Sequence, residues 1–191
     1  MRLLLVGRPG SGKGTQAQAI SAHFGIAHIS SGDLLRQQVA GDTQLGRAIA
    51  ASIANGDLVS DGVVMDVLRR PVEAAAKAGG YVLDGFPRTL AQAESAYLVA
   101  KDIGAWVQVA LVLDVPREVA EGRMLARAEG RTDDTEDVIG HRQDAFDQVT
   151  PAMLDYYERR ETLVRVDGVG AVSEVTARAI AALERIRPTL S

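Results

Sequence analysis

The sequence predicts an α/β fold of three layers, in which a five-stranded parallel sheet has helices on both faces. Short apolar runs alternate with longer helix-like stretches, the pattern of repeated strand–helix–strand units. One run, residues 106–113, is almost continuously apolar, as expected of a central strand that is covered on both faces. The length of 191 residues suits a single domain spanning residues 1–191.

The individual elements follow from apolar spacing and from residues that start or stop helices. Strands are expected at residues 2–6, 27–29, 81–84, 106–113 and 163–166. Helices are expected at 13–24, within 30–77, at 89–101, after Pro116, after Thr135 and at 172–186. Breaks at Gly41-Asp42 and Asn55-Gly56-Asp57, with Ser60 as an N-cap, divide the 30–77 region into a helical insertion. Pro151 is expected to bend or break its helix.

Composition excludes several classes of protein. The chain has no cysteine, so disulfides, thiolate zinc clusters, iron–sulfur sites and cysteine nucleophiles are excluded. The formal charge of −4 argues against a general nucleic-acid binder, and the short first apolar run predicts a cytoplasmic protein with no signal peptide or membrane span. Arginine makes up 18 of the 21 basic residues, which suits the clamping of a small polyanion, although codon bias would explain it as well.

Residues 7–15, Gly-Arg-Pro-Gly-Ser-Gly-Lys-Gly-Thr, lie between the first expected strand and helix. This pattern is typical of a phosphate-binding loop, in which backbone N–H groups and a helix N-terminus surround a polyphosphate and Lys13 adds a mobile charge. An ordinary glycine-rich turn is the alternative, but it would not require all of these features together. Gly14 stands where such loops usually carry a magnesium-binding hydroxyl, so magnesium is expected to be held mainly by phosphates and water.

Three further residues each have a functional and a purely structural interpretation. Asp84 ends a buried strand, where its carboxylate can meet magnesium, or it can be a turn or capping aspartate. Gln92 follows Thr89 at the capping-box spacing, so its amide can serve the backbone or a ligand. Ser31 can face a ligand or, like Ser30, cap the next helix. The histidines have no metal-ligand spacing, so a zinc site has no support.

The chain resembles the adenylate kinases, and specifically their short-lid bacterial members, nearly from end to end. The matching stretches are Gly12-Lys13-Gly14-Thr15, Ile29-Ser30-Ser31-Gly32-Asp33 with Arg36, Gly56-Asp57-Leu58-Val59, Leu83-Asp84-Gly85-Phe86-Pro87-Arg88 with Gln92, Arg123 with Arg127, Gly130-Arg131-Thr132-Asp133-Asp134, Arg142, and Asp167 with Gly170. The resemblance implies a cytoplasmic monomer that reversibly converts ATP and AMP into two ADP with Mg²⁺ and without zinc, which maintains the adenine nucleotide balance.

The same resemblance implies a role for each matching residue. Those implied in catalysis are Lys13, Asp84, Arg88, Arg127, Arg131 and Arg142. Those implied in ATP binding are Gly10, Ser11, Gly12, Lys13, Gly14, Thr15, Arg123, Arg127 and Gly170. Those implied in AMP binding are Ser31, Arg36, Asp57, Leu58, Val59, Gly85, Phe86, Pro87, Arg88, Gln92, Arg131 and Arg142. Asp84 is expected to meet Mg²⁺ through water.

The resemblance also implies two mobile segments that cover the nucleotides, and one residue, Arg8, departs from the family pattern. The nucleoside-monophosphate-binding insertion at 30–59 is expected to close on AMP, and a short lid at about 126–136 on ATP. Arg8 stands where the family has a small residue and is expected to add a surface charge beside the phosphates. Two other functions stay open, a pyrimidine nucleoside monophosphate kinase and an inactive nucleotide-binding regulatory module.

Overall fold

The computed structural model describes residues 1–41, 43–55, 57, 59–128 and 135–187, with the backbone alone for residues 45, 53, 55, 127 and 128. The strands are β1 (Arg2–Val6), β2 (Ala27–Ser30), β3 (Tyr81–Asp84), β4 (Val109–Asp114) and β5 (Leu163–Asp167). The helices are α1 (Lys13–Phe24), α2 (Ser31–Ala40), α3 (Gln44–Asn55), α4 (Asp61–Lys77), α5 (Leu90–Asp102), α6 (Arg117–Ala128), α7 (Glu136–Arg159) and α8 (Val172–Ile186). Within these described ranges, none of the helices has the length and apolar character needed to cross a membrane.

The five strands form one parallel sheet in the order β2-β3-β1-β4-β5, which confirms the predicted fold class. The middle strand is β1, and β4 lies beside it. β4 begins at Val109, three residues later than the apolar run suggested. Trp106 lies outside the sheet because its ring is 40 % exposed and stacks against the guanidinium of Arg2.

Alternate residues of each strand enter different layers of the core, as the two-residue period of a strand requires. Leu3 and Leu5 of β1 are buried with residues of α1 and α8 on one face of the sheet. Leu4 and Val6 are buried with residues of α5 and α7 on the other face. The chain therefore places helices on both faces, and the loops that follow the strands meet at one edge of the sheet.

Side-chain caps start four of the described helices. The hydroxyl groups of Ser30, Thr43, Thr89 and Thr135 accept hydrogen bonds from backbone N–H groups in the first turns of α2, α3, α5 and α7. Ser60 occupies the expected N-cap of α4, but its side chain makes no capping hydrogen bond there.

Of the two outcomes expected at Pro151, a bend or a break, the structure shows no break. α7 continues from Glu136 to Arg159 with Pro151 inside it. Proline removes one backbone hydrogen bond from a helix and crowds the preceding turn. Buried residues on both sides of it, including Thr150 and Met153, anchor α7 against the sheet. Packing of the helix therefore outweighs the local cost.

Candidate active site

A cleft of about 780 Å³ opens where β1 and β3 end. The two strands are neighbours, and Leu5 of β1 is in register with Asp84 of β3. The loop after β1 and the loop after β3 therefore start side by side. In the sheet, β3 lies on one side of β1 and β4 lies on the other. The cleft therefore lies at a switch point of the sheet, where α/β proteins commonly bind ligands.

The loop between β1 and α1 forms one wall of the cleft. Gly10 has a φ of 83°, and a Cβ at this position would lie 2.2 Å from the carbonyl oxygen of Ala120, so only glycine fits. Gly12 caps α1 in the left-handed conformation. The Lys13 ammonium donates hydrogen bonds to the carbonyl oxygens of Gly7 at 2.7 Å and Arg8 at 3.0 Å. The lysine thus lies across the loop, at the N-terminus of a helix.

Asp84 faces this loop across a short distance. A Cβ on Gly14 would lie 3.9 Å from Asp84 Oδ2, so glycine leaves space beside the carboxylate. Asp84 is 9 % exposed, and its Oδ1 is buried with no hydrogen-bond partner in the structure. Buried carboxylate oxygens normally have a partner. An unpartnered carboxylate oxygen beside a phosphate-binding loop is therefore suited to a hard cation such as Mg²⁺ or to its water ligands.

Basic side chains converge on the same cleft. Its described lining includes Lys13, Arg36, Arg88, Arg123 and Arg142. Burial lowers the pKa of Arg88, the nearby Asp84 opposes that shift, and the charges of Arg142 and Arg36 add to it. The guanidinium stays charged, because arginine is not deprotonated in proteins. Arginines placed this close suit a shared anion.

Two of these arginines are oriented by the loops around them. Arg88 donates through Nε to the carbonyl oxygen of Gly85 at 2.7 Å. Arg123 joins two loops, because its Nη1 donates to the carbonyl oxygen of Ser11 at 3.3 Å and its Nη2 to that of Gly168 at 3.2 Å. The side chains are thus held at the cleft without being neutralised by the backbone groups they contact.

Buried polar atoms without partners concentrate at the cleft. Among the described residues, five buried side-chain nitrogen or oxygen atoms have no hydrogen-bond partner. Four of them belong to residues that line the cleft, namely Ser11 Oγ, His28 Nε2, Ser31 Oγ and Asp84 Oδ1. An unpaired buried polar group costs free energy, so their presence together indicates a polar ligand.

Ser31 and Ser30 have separate roles, which resolves one of the open alternatives. Ser30 caps α2 through its hydroxyl, whereas Ser31 is 1 % exposed and its hydroxyl has no partner. Gly85, with a φ of 86°, allows this close approach, since a Cβ there would lie 2.5 Å from Ser31 Oγ. Helix capping therefore does not account for Ser31.

The Gln92 amide contacts two other segments of the protein. Its Oε1 accepts from the backbone N–H of Arg88 at 2.7 Å, and its Nε2 donates to Asp61 Oδ1 at 2.7 Å. A capping box would instead bond the N–H of Thr89. Each end of a carboxamide can form a second hydrogen bond, so these contacts orient the amide and leave one donor and one acceptor for a ligand.

Most of the predicted and described site residues lie together on the cleft. Phe86 does not line it; this ring is 3 % exposed and packs in an apolar cluster with Leu83 and Leu35. The peptide bond between Phe86 and Pro87 is cis. Leu58, Arg131, the Arg127 side chain and the middle of the expected lid, residues 129–134, lie outside the described residues.

Sequence reasoning missed two residues at this site. His28 lines the cleft, and Asp61 orients Gln92. The two-residue period of β2 places His28 and Ser30 on the same face of the strand, which is a signal the sequence does contain. The sequence holds no comparable signal for the contact between Asp61 and Gln92, which are 31 residues apart.

Arg8 departs from the expected surface charge beside the phosphates, because its side chain is bonded within the protein. Its side chain is absent from the described lining of the cleft and is directed to α7, where it bonds Gln143 and Asp147. The guanidinium at this position is therefore paired within the protein.

The fold and the site together define a phosphate-binding-loop phosphotransferase. A family model described as adenylate kinase matches residues 5–162. The adenylate kinase of Kocuria rhizophila is 43 % identical over 186 residues, which are 96 % of this chain and 99 % of that protein. The adenylate kinase of Xanthomonas oryzae is 42 % identical over 192 residues, which cover 100 % of this chain and 99 % of that protein. The adenylate kinase of Rhodococcus erythropolis is 43 % identical over 183 residues, which cover 96 % of this chain and 99 % of that protein. The chain belongs to the adenylate kinase family.

Proposed function

We propose that this enzyme transfers the γ-phosphoryl group of ATP to AMP and releases two molecules of ADP. The observation that carries the proposal is the composition of one cleft. Unpartnered buried polar atoms, five basic side chains and a phosphate-binding loop all face the same space. Membership of the adenylate kinase family supports the choice of the two adenine nucleotides.

The ATP side of the cleft is assigned to the loop after β1. Backbone N–H groups of residues 10–15 and the N-terminus of α1 would bind the β- and γ-phosphates. Lys13 would exchange its bonds to the carbonyl oxygens of Gly7 and Arg8 for phosphate oxygens. Arg123 and Gly170 line the same end and are assigned to the adenosine part of ATP.

The AMP side is assigned to the insertion at residues 30–59 and the loop after β3. Arg36 and Arg88 would bind the AMP phosphate, and the unpartnered Ser31 hydroxyl would accept or donate one further hydrogen bond. Asp57, Val59, Gly85 and Pro87 line this part, and Leu58 belongs to it by its position in the sequence. The oriented Gln92 amide matches the adenine edge, where an amine lies beside a ring nitrogen.

Phosphoryl transfer requires the two nucleotides to lie in line while their charges are neutralised. An oxygen of the AMP phosphate forms a bond to the γ-phosphorus, and the bond from that phosphorus to the β,γ-bridging oxygen breaks. The attacking oxygen is already ionised near neutral pH, so no general base is needed. Lys13, Arg88 and Arg142, with Arg127 and Arg131, would stabilise the charge that develops on the transferred group.

Mg²⁺ fits the residues present, because the buried Oδ1 of Asp84 has no partner and its Oδ2 lies near Gly14. Asp84 would hold it, directly or through water. When bound, the ion neutralises phosphate charge. The charge of Asp84 also opposes the lowering of the Arg88 pKa.

Two segments are assigned as movable covers that exclude water during transfer. They are the insertion at 30–59 and the short lid at about 126–136. The insertion contacts α7 in this structure. Asp57 Oδ1 of the insertion lies 3.0 Å from His141 Nε2 of α7. Both nucleotides are bound by one chain, which supports a monomeric enzyme, and the absence of cysteine is consistent with the cytoplasm.

The test is a coupled assay with ATP, excess Mg²⁺ and each of AMP, UMP, CMP and GMP as acceptor. We expect kcat/KM for AMP to exceed that for each other acceptor by at least about tenfold, since one unmatched base contact costs ~1–3 kcal/mol. Turnover is expected to stop with EDTA and to return with added Mg²⁺. A preference for UMP or CMP, or no transfer to any acceptor, would contradict the proposal.

A further inference from the structure

We propose that Arg8 is a positioning residue for phosphoryl transfer, because its side chain fastens the phosphate-binding loop to α7. The proposal rests on the function proposed above for Lys13 and Arg142. Lys13 lies on the loop and Arg142 on α7, so the distance between the two elements decides whether both charges reach the same phosphoryl group.

Each nitrogen of the Arg8 guanidinium has a hydrogen-bond partner within the protein. Its Nη1 donates to Gln143 Oε1 at 2.9 Å and its Nη2 to Asp147 Oδ1 at 2.8 Å. Its Nε donates to the carbonyl oxygen of Val115 at 3.1 Å, and its Cζ lies 5.0 Å from the centroid of the Phe146 ring. The side chain is only 16 % exposed. Three of these four contacts are to α7.

Gln143 of α7 bonds both the Arg8 side chain and the backbone of the phosphate-binding loop. It is completely buried, and its Nε2 donates to the carbonyl oxygen of Pro9 at 2.9 Å and contacts Met124 Sδ at 3.6 Å. Arg8 is the donor to its Oε1. One buried amide thus bonds two consecutive residues of the loop, and loss of Arg8 would leave its oxygen buried without this partner.

The residues that join the loop to α7 lie next to two charged residues of the site, Lys13 and Arg142. The carbonyl oxygen of Arg8 accepts from Lys13 Nζ and from the backbone N–H of Ser11, both at 3.0 Å. At the other end, Gln143 follows Arg142 in the sequence and both lie in α7. A displacement of about 1 Å between groups that act on one reacting centre can cost on the order of 10²-fold in rate. A fixed loop-to-helix distance is therefore a catalytic requirement.

Arg117 provides a matched control. It bonds Glu121 at 2.7 Å, Asp144 at 2.6 Å and Asp147 at 3.4 Å, so it also joins α7 and shares one acidic partner with Arg8. Among the described residues, its side-chain bonds are to α6 and α7, with none to the phosphate-binding loop. A purely structural role for Arg8 predicts that the two arginines behave alike.

The experiment compares Arg8→Ala, Arg8→Lys, Gln143→Leu, Arg8→Ala/Gln143→Leu and Arg117→Ala in the ATP and AMP assay, well below the Tm of each variant. We expect Arg8→Ala and Gln143→Leu each to lower kcat about 10- to 100-fold with the KM for AMP within about threefold. Arg8→Lys should recover part of kcat, since an ammonium keeps one of the bonds to α7. Arg117→Ala should lower the Tm and leave kcat within about twofold.

The double variant tests whether Arg8 and Gln143 act as one unit. We expect it to lose no more than the worse single variant, because each single change already breaks the connection. The proposal would be overturned if the kcat losses of the two single variants multiplied in the double variant. It would also be overturned by a kcat for Arg8→Ala within twofold of the wild type, or by an equal loss of kcat in Arg117→Ala. If Arg8→Ala does not fold, Arg8→Lys and Gln143→Leu carry the same test.

Hydrogen exchange separates this inference from the proposed function. Backbone amides of residues 7–13 in the nucleotide-free protein should exchange at least about tenfold faster in Arg8→Ala than in the wild type or Arg117→Ala. Unchanged exchange would overturn the positioning role. If the wild type transferred no phosphoryl group to AMP, the proposed function would fail, while the exchange data would still show whether Arg8 fixes the loop.

Discussion

Individual residues were predictable where a backbone motif determines their position. The loop at residues 7–15 has a required order of glycines and a lysine, so Lys13 could be assigned from the sequence. Arg8 could not, because the sequence does not show which way a side chain leaves such a loop. Its partners, Gln143 and Asp147, lie 135 and 139 residues further on. Contacts at that distance are set by the packing of α7 and not by any local pattern.

Replacement of Lys13 by methionine tests the central assignment at the scale of a residue. We expect turnover to fall by on the order of 10²-fold or more, because a preorganised charge at the transferred group is lost. The circular dichroism spectrum should not change. Lys77→Met is the control, since Lys77 is an exposed residue of α4 that pairs with Glu73 and should matter little for stability or rate. Near wild-type turnover in Lys13→Met would refute the assignment.

Replacement of Gln92 by alanine separates base recognition from local structure. We expect the KM for AMP to rise about tenfold, since one unmet neutral hydrogen bond costs ~1–3 kcal/mol, with little change in the KM for ATP. The Tm should also fall, because Arg88 N–H and Asp61 lose their partner.

Thr89→Ala is the control for the Gln92 variant. It removes the N-cap bond to the Gln92 backbone N–H but leaves the amide in place. This variant should lower the Tm with the KM for AMP unchanged. Equal increases in KM for the two variants would mean that Gln92 acts through the start of α5 and not through adenine.

Elements were predicted well wherever local signals and packing agree. α1 and α8 have the bounds expected from apolar spacing and their flanking residues. In α7 the two kinds of signal disagree, because Pro151 predicts a bend or a break while the buried residues around it favour one helix. The start of β4 differs for a related reason. Trp106 is apolar enough to count as a strand residue, yet it packs against Arg2 outside the sheet. Tertiary contacts decided both outcomes.

Two serines test the value of a side-chain cap at the scale of an element. Ser30 Oγ accepts from the N–H of Asp33 at 3.2 Å, whereas Ser60 makes no capping bond at the start of α4. We expect Ser30→Ala to lower the free energy of unfolding by ~1 kcal/mol and Ser60→Ala to change it by less than about half of that. Urea denaturation of the two variants measures the difference. Equal losses would show that the hydroxyl bond of Ser30 does not stabilise α2.

At the scale of the whole molecule, the parallel sheet explains why distant motifs form one site. Parallel strands end at one edge, so the sequence was sufficient to predict that the loops after β1 and β3 both lie at that edge. The order of the strands and the contact between the insertion and α7 were not predictable. The order of the strands depends on the crossover connections. The contact with α7 depends on His141 and Asp57, an exposed pair of residues that are 84 positions apart in the sequence.

The two proposed nucleotide sites share one cleft, and this predicts how a linked ligand should bind. Diadenosine pentaphosphate can fill both sites with a single molecule, so the second adenosine binds without a separate association cost. We expect it to inhibit at a concentration at least about 10²-fold below that of ADP, and to compete with both ATP and AMP. Diadenosine triphosphate is the control, because its shorter chain should not span both phosphate sites and should inhibit much more weakly. If the pentaphosphate competed no better than ADP, or competed with one substrate alone, the two sites would not be adjacent in the way that Lys13, Asp84 and Arg88 indicate.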